Sequence, residues 1–287
     1  MTGIAKMRTI KNRLFKGFVI LCSLIAITPI ILILYELIIK GYTQINIAFF
    51  TEVAPNTWDA MTANNNGEVI PGGILNGITG TLLMVITASL IAIPLGLITG
   101  IFLYENAGKM YANLIRDISD ILQGAPSIVL GIIAYIWVVK FITNGFSALA
   151  GSVALAIMML PLIIRSTEET LKMIPVTVKE AGLALGVPYH KIILRVLLPT
   201  SFSGLVTGVL LALSRVIGET APLLLTSLGS HMVNLNLDKP TSAVPLLIWE
   251  FYNDPNMVNL IWSSSLFLVI FVLTLNLLSK QLAPRRN

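Results

Sequence analysis

Six apolar stretches, each long enough to cross a lipid bilayer as a helix, dominate this 287-residue chain. A membrane-spanning helix needs about 20 predominantly apolar residues. Only 11% of the residues are charged and 55% are hydrophobic, whereas ordinary soluble domains have roughly a quarter of their residues charged. The sequence therefore predicts an all-α, polytopic membrane protein with about six transmembrane helices. The predicted spans are Phe18–Ile39, Ile74–Tyr104, Ile121–Phe141, Phe146–Ile164, Phe202–Leu228 and Leu260–Leu278.

Basic residues predict the orientation of these spans. Fifteen of the 19 lysines and arginines lie before the first span, after the second, after the fourth, or at the chain end. Because positively charged flanks remain in the cytoplasm, we expect both termini and the link 165–199 to be cytoplasmic. The net charge of +5 is explained by this orientation and by anionic headgroups, so no nucleic-acid partner is expected.

The predicted organisation has four parts. These are a basic cytoplasmic N-terminus at 1–16, a first transmembrane helix at 17–40, a transmembrane domain at 74–281 containing the cytoplasmic loop 165–199, and a cytoplasmic tail at 282–287. A cleaved signal peptide is the alternative for the basic start and first apolar run. That run is longer than a typical signal-peptide core and no A-x-A site ends it, so an uncleaved span is preferred.

The sequence carries no signature of an enzyme. It has no G-x-x-x-x-G-K phosphate-binding loop, no nucleotide-binding fingerprint and no G-x-S-x-G elbow. Cys22 is the only cysteine, and His190 and His231 fall on opposite predicted sides of the membrane. We therefore expect no bound metal or cofactor and no ATP hydrolysis by this chain.

A polar, helix-forming segment, Thr177–Pro199, lies between the long apolar spans; we call it the knob. Thr177 and Glu180 have the spacing of a capping box at a helix start. Gly186 suits a left-handed helix stop, and Pro188 suits the start of a second helix. The prediction is two short helices joined by a tight turn, although an ordinary amphipathic loop is the simpler alternative.

The knob resembles the EAA motif through which permeases of ABC importers contact their ATPase. Glu180 and Ala181 begin the motif, Gly182 stands where a second alanine is usual, and Gly186 follows at the expected spacing. Pro199 closes the block. The resemblance implies that an ATPase on a separate chain binds here.

Glycine pairs and a proline occur within the apolar spans. Gly96 with Gly100, and Gly204 with Gly208, form G-x-x-x-G pairs, which favour close helix packing within the bundle or at a permease dimer interface. We also expect Pro94 to kink the second span.

Arg215 and Glu219 are charges inside the fifth predicted span. Charged residues in a membrane normally face the bundle interior or a water-filled path. Four residues apart on a helix, the two would share one face, either as a structural ion pair or as an anion site in which the guanidinium binds an oxyanion. Glu219 would hold Arg215 in place or accept a hydrogen bond from a protonated phosphate oxygen, which fully ionised sulfate cannot donate. Packing and helix-to-helix hydrogen bonding are the alternatives for three further candidate path residues, Thr220, Gln123 and Ser127.

Five further stretches together resemble the PstA-type permease subunit of phosphate ABC importers. They are YENAGK at 104–109, GAPSIVLG at 124–131, LPLIIRSTEE at 160–169, IGETAPL at 217–223 and SAVPLLIW at 242–249. The resemblance implies a type I importer permease in a prokaryotic inner membrane, with a PstC-type permease, two PstB-type ATPase subunits and a PstS-type phosphate-binding protein as partners. It implies roles in transport for Arg215 and Glu219, and Arg165 is a weaker candidate that a positive-inside anchor also explains.

Two alternative functions remain open from the sequence. The chain could belong to an importer of another oxyanion or a polar metabolite, because the knob concerns the ATPase and not the cargo. It could also be an ATP-independent anion channel or secondary transporter in which the knob is only regulatory.

Overall fold

The computed structural model describes residues 2–282, and within that range it consists of helices and their connections. The helices are α1 (Thr2–Gly41), α2 (Ile47–Thr51), α3 (Thr57–Asn66), α4 (Leu75–Glu105), α5 (Met110–Gly124), α6 (Ser127–Ala134), α7 (Ala148–Lys172), α8 (Val176–Ala184), α9 (Tyr189–Ile192), α10 (Leu198–Val216), α11 (Ala221–Thr226), α12 (Val244–Tyr252) and α13 (Val258–Leu282). Wider π-helical turns at Tyr135–Lys140 and Ile193–Leu197 extend α6 and join α9 to α10. Single 3-10 turns occupy Tyr42–Gln44 and Pro255–Met257. Apart from Leu282, the predicted tail at 282–287 lies outside the described residues.

The helical membrane fold predicted from the sequence is confirmed. Within residues 2–282, five helices are long and apolar enough to cross a membrane: Lys11–Gln44, Leu75–Glu105, Ala148–Lys172, Tyr189–Val216 and Pro255–Gln281. A sixth crossing results if the bent pair Met110–Gly124 and Ser127–Lys140 counts as one span. Pro94 lies within α4, which continues past it.

The third predicted span is not one straight helix. The chain bends by 106° between Met110–Gly124 and Ser127–Lys140. Ala125 and Pro126 are both extended at the bend, with ψ of 139° and 136°. A proline disfavours the helical conformation of the residue before it, which explains why the helix ends here. The span predicted over 121–141 therefore begins too early: residues 121–124 belong to α5, and the next helical segment begins at Ser127 and continues to Lys140.

The fifth predicted span, 202–228, is also interrupted. α10 ends at Val216, a short turn follows, and α11 begins at Ala221. Pro222 lies in the first turn of α11, where its missing N–H is not needed. The turn itself is not apolar, since residues 217–220 include Gly218 and the charged Glu219, but it is short relative to a span of about 20 residues.

The central helix of the bundle is α7, which α4 approaches closely on one side. A Cβ atom added to Gly96 would lie 2.6 Å from the Ile163 side chain, and one added to Gly100 would lie 2.5 Å from the Cβ of Thr167. Side chains larger than hydrogen would push the two helices apart. The first predicted G-x-x-x-G pair is thus a packing contact within the bundle.

The second glycine pair brings α10 against a neighbouring stripe of α7. Added Cβ atoms on Gly204 and Gly208 would collide with the side chains of Thr170 and Ser166, respectively. Both pairs therefore serve packing inside this chain, which settles the choice between bundle packing and a dimer interface. The helix α7 therefore packs closely against α4 on one side and α10 on another, and its C-terminal end leads into the knob.

Short helices cap one end of the bundle. Phe49 and Ile74 pack with Leu247, Phe251 and Leu260 in a buried cluster that joins α2, α12 and α13. The segment 41–73 carries no recognisable sequence pattern, yet it folds into α2 and α3 on this cluster. At the periphery, α1 packs along α13 and leaves most of its apolar side chains exposed, as expected of a lipid-facing helix.

Candidate functional site

The knob contains the two short helices that the sequence predicts. Gly186 ends α8 in the left-handed conformation, with a φ of +71°. Its N–H donates to the Leu183 carbonyl at 2.9 Å, and the Val187 N–H donates to the Gly182 carbonyl at 3.2 Å. These two bonds form the Schellman arrangement that closes a helix C-terminus. The prediction of a left-handed stop at Gly186 is confirmed.

The predicted capping box at the start of the knob is not formed. The helix α8 begins at Val176 after Pro175, with no side-chain cap. Thr177 therefore lies inside the first turn, where its backbone is helical and its hydroxyl cannot serve as the cap. Pro188 precedes α9, which begins at Tyr189. A proline before each short helix fixes the two starts instead.

One face of the knob is exposed and the other is anchored. Glu180, Ala181, Gly186 and Pro199 are exposed, and Gly182 is half-buried against Ile192. Exposed positions are available to another protein.

Lys179 joins the knob to the end of α4. Its Nζ lies 4.7 Å from the centre of the Tyr189 ring and 6.0 Å from that of Tyr104. A hydrogen bond with Tyr189 raises the pKa of the Lys179 ammonium above its ordinary value. Beneath the helices, a buried cluster ties the knob to α7 through Leu171, Ile174, Ile192 and Leu197. The knob is thus attached to both α4 and α7.

Arg215 and Glu219 do not form the helical pair that their spacing suggests. Arg215 lies in the last turn of α10, and Glu219 follows the end of that helix. Arg215 is exposed and Glu219 is half-buried. Among the residues that the structure describes, neither side chain has an ion pair or a hydrogen bond. The expected shared helix face is wrong because α10 stops at Val216.

The helices α6 and α11 pack side by side after their respective breaks. A Cβ added to Gly131 of α6 would lie 2.7 Å from the Cα of Pro222 in α11. At the C-terminal end of α11, the Thr226 carbonyl accepts from the N–H of Ser147, which precedes α7, at 2.9 Å. The Gly131–Pro222 contact therefore places the later part of α6 beside the first turn of α11.

The candidate path residues lie next to the starts of these two neighbouring helices. Gln123 and Ser127 flank the break before α6, and Glu219 and Thr220 immediately precede α11. Gln123, Ser127 and Thr220 are half-buried. Free N–H groups and the helix dipole favour an anion at a helix N-terminus. The sequence predicted continuous spans at both breaks, although Pro126 and Pro222 are signals that could have indicated the interruptions.

Arg165 lies in an exposed cluster between α5 and α7. Its Nη1 is 3.2 Å from Asp120 Oδ1, and its Nε is 3.1 Å from Glu169 Oε1. The guanidinium is therefore paired, unlike that of Arg215.

A second cluster, which the sequence analysis missed, surrounds the buried carboxylate of Glu168. The Glu168 Oε1 atom lies 2.7 Å from Arg116 Nη2 and 2.7 Å from Lys172 Nζ. The two partners are 52 residues earlier and one helical turn later in the chain. Of these contacts, only the pair with Lys172 has a spacing that a sequence can reveal.

The bundle of apolar helices with its broken segments and exposed knob defines a multi-pass membrane transport component. Residues 92–286 match the family described as the binding-protein-dependent transport system inner membrane component. The chain belongs to this family and, within it, to the PstA-type permeases of phosphate transport systems.

The relatives that establish this membership align over almost the whole chain. A phosphate transport system permease protein PstA of Yersinia pestis is 37% identical over 280 residues, covering 96% of this chain and 91% of the relative. The PstA of Xylella fastidiosa strain 9a5c is 37% identical and covers 88% and 85%. That of Haemophilus influenzae is 33% identical and covers 95% and 94%.

Solved structures share the fold. A chain of the MetNI methionine ABC transporter, in inward-facing conformations, superposes with a TM-score of 0.60 at 24% identity, covering 71% of this chain and 92% of that one. A chain of an amino acid ABC transporter crystallised with histidines gives 0.54 at 15% identity, covering 79% and 97%. The predicted permease-like fold of ABC importers is confirmed.

Proposed function

We propose that this chain is the PstA-type permease of an ATP-driven phosphate importer and forms half of its translocation path. The identity of 33–37% to PstA proteins over most of the chain supports phosphate as cargo. One observation supports a translocation path at this position. Arg215 is a charged residue in a membrane bundle, and it has no partner among the described residues. Such a charge requires water, an anion or another chain beside it.

The anion site would form at the starts of α6 and α11. Arg215 offers a planar fork of donors that matches phosphate oxygens, and Ser127, Thr220 and Gln123 would offer further polar groups to the same anion. Glu219 would accept a hydrogen bond from a protonated phosphate oxygen, which fully ionised sulfate cannot donate. This division of roles gives the site selectivity for phosphate. Arg165 is a weaker candidate for the path because Asp120 and Glu169 already neutralise it.

The partners follow from the family and the exposed knob. We propose a heterodimer with a PstC-type permease, two PstB-type ATPase subunits bound to the knob, and a PstS-type protein that delivers phosphate. In this complex the basic flanks keep both termini and the knob in the cytoplasm of a prokaryotic cell. Closure of the ATPase dimer would displace the knob, and α7 and α10 would transmit that movement, so that the path opens alternately to the two sides.

The test is ATP-dependent uptake of radiolabelled phosphate by cells carrying the whole importer. Native chain and Arg215→Ala are compared at matched membrane abundance, with Lys239→Ala, an exposed lysine outside the proposed path, as the control. We expect Arg215→Ala to abolish uptake in an assembled complex and the control to retain it. Unchanged uptake in Arg215→Ala would refute the path assignment.

Two further measurements separate the remaining alternatives. Unlabelled sulfate, phosphonate and molybdate are offered as competitors, and an importer of another oxyanion would be revealed by stronger competition from one of them than from phosphate. Uptake that survives depletion of ATP would instead indicate a channel or secondary transporter.

A further inference from the structure

Arg116 joins three helices through one guanidinium group. Its Nη2 and Nε atoms lie 2.7 and 2.9 Å from Glu168 Oε1 on α7. Nη2 also donates to the Leu103 carbonyl of α4 at 2.9 Å, and Nη1 donates to Asn113 Oδ1 of α5 at 2.7 Å. A side chain with this many directed bonds fixes α5 relative to both neighbours.

Glu168 is the buried half of this contact. Its side chain is 8% exposed, whereas that of Arg116 is 25% exposed. Lys172 is its second partner, on the same helix. A buried carboxylate needs cations and hydrogen bonds, so it holds its neighbours in one geometry. The Arg165 cluster also joins α5 to α7, but its side chains are more than half exposed. Exposed ion pairs of that kind contribute little to the stability of the contact between helices.

The Arg116–Glu168 contact lies between two parts of the molecule that the proposed function requires to move together. On one side, α7 ends at Lys172 and the knob helix α8 begins at Val176. On the other side, α5 ends at Gly124 and the bend into α6 follows. The contact is therefore a direct connection from the base of the knob to the segment that carries Gln123 and Ser127.

We infer that the Arg116–Glu168 pair transmits displacement of the knob to the α5–α6 bend, so that both are positioning residues for transport. This inference rests on the proposed function. Neither residue touches the cargo; each acts by making α5 follow α7. Without the pair, the knob can move while the bend and the start of α6 remain in place, so ATP is hydrolysed without transport.

The experiment uses the complete importer reconstituted in lipid vesicles and measures phosphate transported per ATP hydrolysed. Glu168→Gln retains the shape of the side chain and removes its charge, and Arg116→Gln removes the guanidinium from the other partner. Asp120→Asn is the matched control, since it neutralises an exposed carboxylate that also bridges α5 and α7. We expect the ratio to fall about tenfold in both variants and to stay native in the control.

A purely structural role would give a different result. The amount of assembled complex would fall, transport and ATP hydrolysis would fall in proportion, and the ratio in the surviving complex would stay native. That outcome in either assembled variant would overturn the inference. A native complex that hydrolyses ATP without taking up phosphate would contradict the proposed function instead, so the two failures are distinguishable.

Discussion

Gly100 of α4 lies directly against Thr167 of α7, so closely that a Cβ atom on the glycine would fall 2.5 Å from the threonine Cβ. Real Cβ atoms do not approach this distance. The missing side chain therefore lets the backbones of α4 and α7 approach closely, in a setting where lipid provides no hydrophobic drive between helices.

Gly100→Ala is expected to lower the stability of the bundle by about 1–3 kcal/mol, because the added methyl group forces α4 away from α7. The matched control is Gly17→Ala in α1, where an added Cβ meets nothing within 4 Å. Thermal unfolding of the detergent-solubilised protein measures both. A melting temperature for Gly100→Ala equal to that of the control would show that the helix contact is looser than described.

Asn76 ties two connecting segments to the start of α4. Its side chain is buried, with Oδ1 accepting from the Ala54 N–H at 3.2 Å and Nδ2 donating to the Ser230 carbonyl at 2.8 Å. Asn76→Ala leaves both groups without their partner, which costs about 1–3 kcal/mol per buried group. We expect a lower melting temperature, whereas Asn65→Ala at an exposed position of α3 should leave it unchanged. Equal melting temperatures for the two variants would contradict this role.

Gly186→Val is expected to abolish phosphate uptake while leaving membrane insertion intact. A β-branched residue resists the left-handed conformation, which costs L-residues about 1–2 kcal/mol, and the end of α8 would be displaced from its position. Gly186→Asn is the control, because asparagine tolerates that conformation. Uptake and membrane abundance are measured together. Native uptake by a stably inserted Gly186→Val variant would count against the knob as the site of ATPase coupling.

Glu219→Gln is expected to weaken the discrimination of phosphate from sulfate by about tenfold, since the hydrogen bond from a protonated phosphate oxygen would lose its charged acceptor. The measurement is the concentration of unlabelled sulfate that halves phosphate uptake, relative to the concentration of unlabelled phosphate that does the same. Glu250→Gln, at a carboxylate that pairs with His231 outside the proposed path, is the control. An unchanged ratio in a Glu219→Gln variant that still transports would remove Glu219 from phosphate recognition.

The sequence by itself determined the features that depend on local composition and spacing. Apolar runs of about 20 residues require helices across a bilayer, because no other open structure satisfies the backbone there. The left-handed stop at Gly186 was predictable because only the missing side chain makes that conformation inexpensive. The close helix contacts at Gly96 and Gly100 followed from small residues at a four-residue spacing.

Only the tertiary structure decided the two helix breaks, the partners of the charged residues and the packing of α6 against α11. The polar residues at the two breaks are few relative to a span of about 20 residues, so the average apolarity of each span did not reveal the interruption. Arg116 meets Glu168 from 52 positions away, and no local pattern encodes such a pairing. Arg215 and Glu219 were expected to share a helix face, but the end of α10 at Val216 separates them. Periodicity fixes neighbours only while a helix continues; beyond its end, packing of whole helices decides which side chains meet.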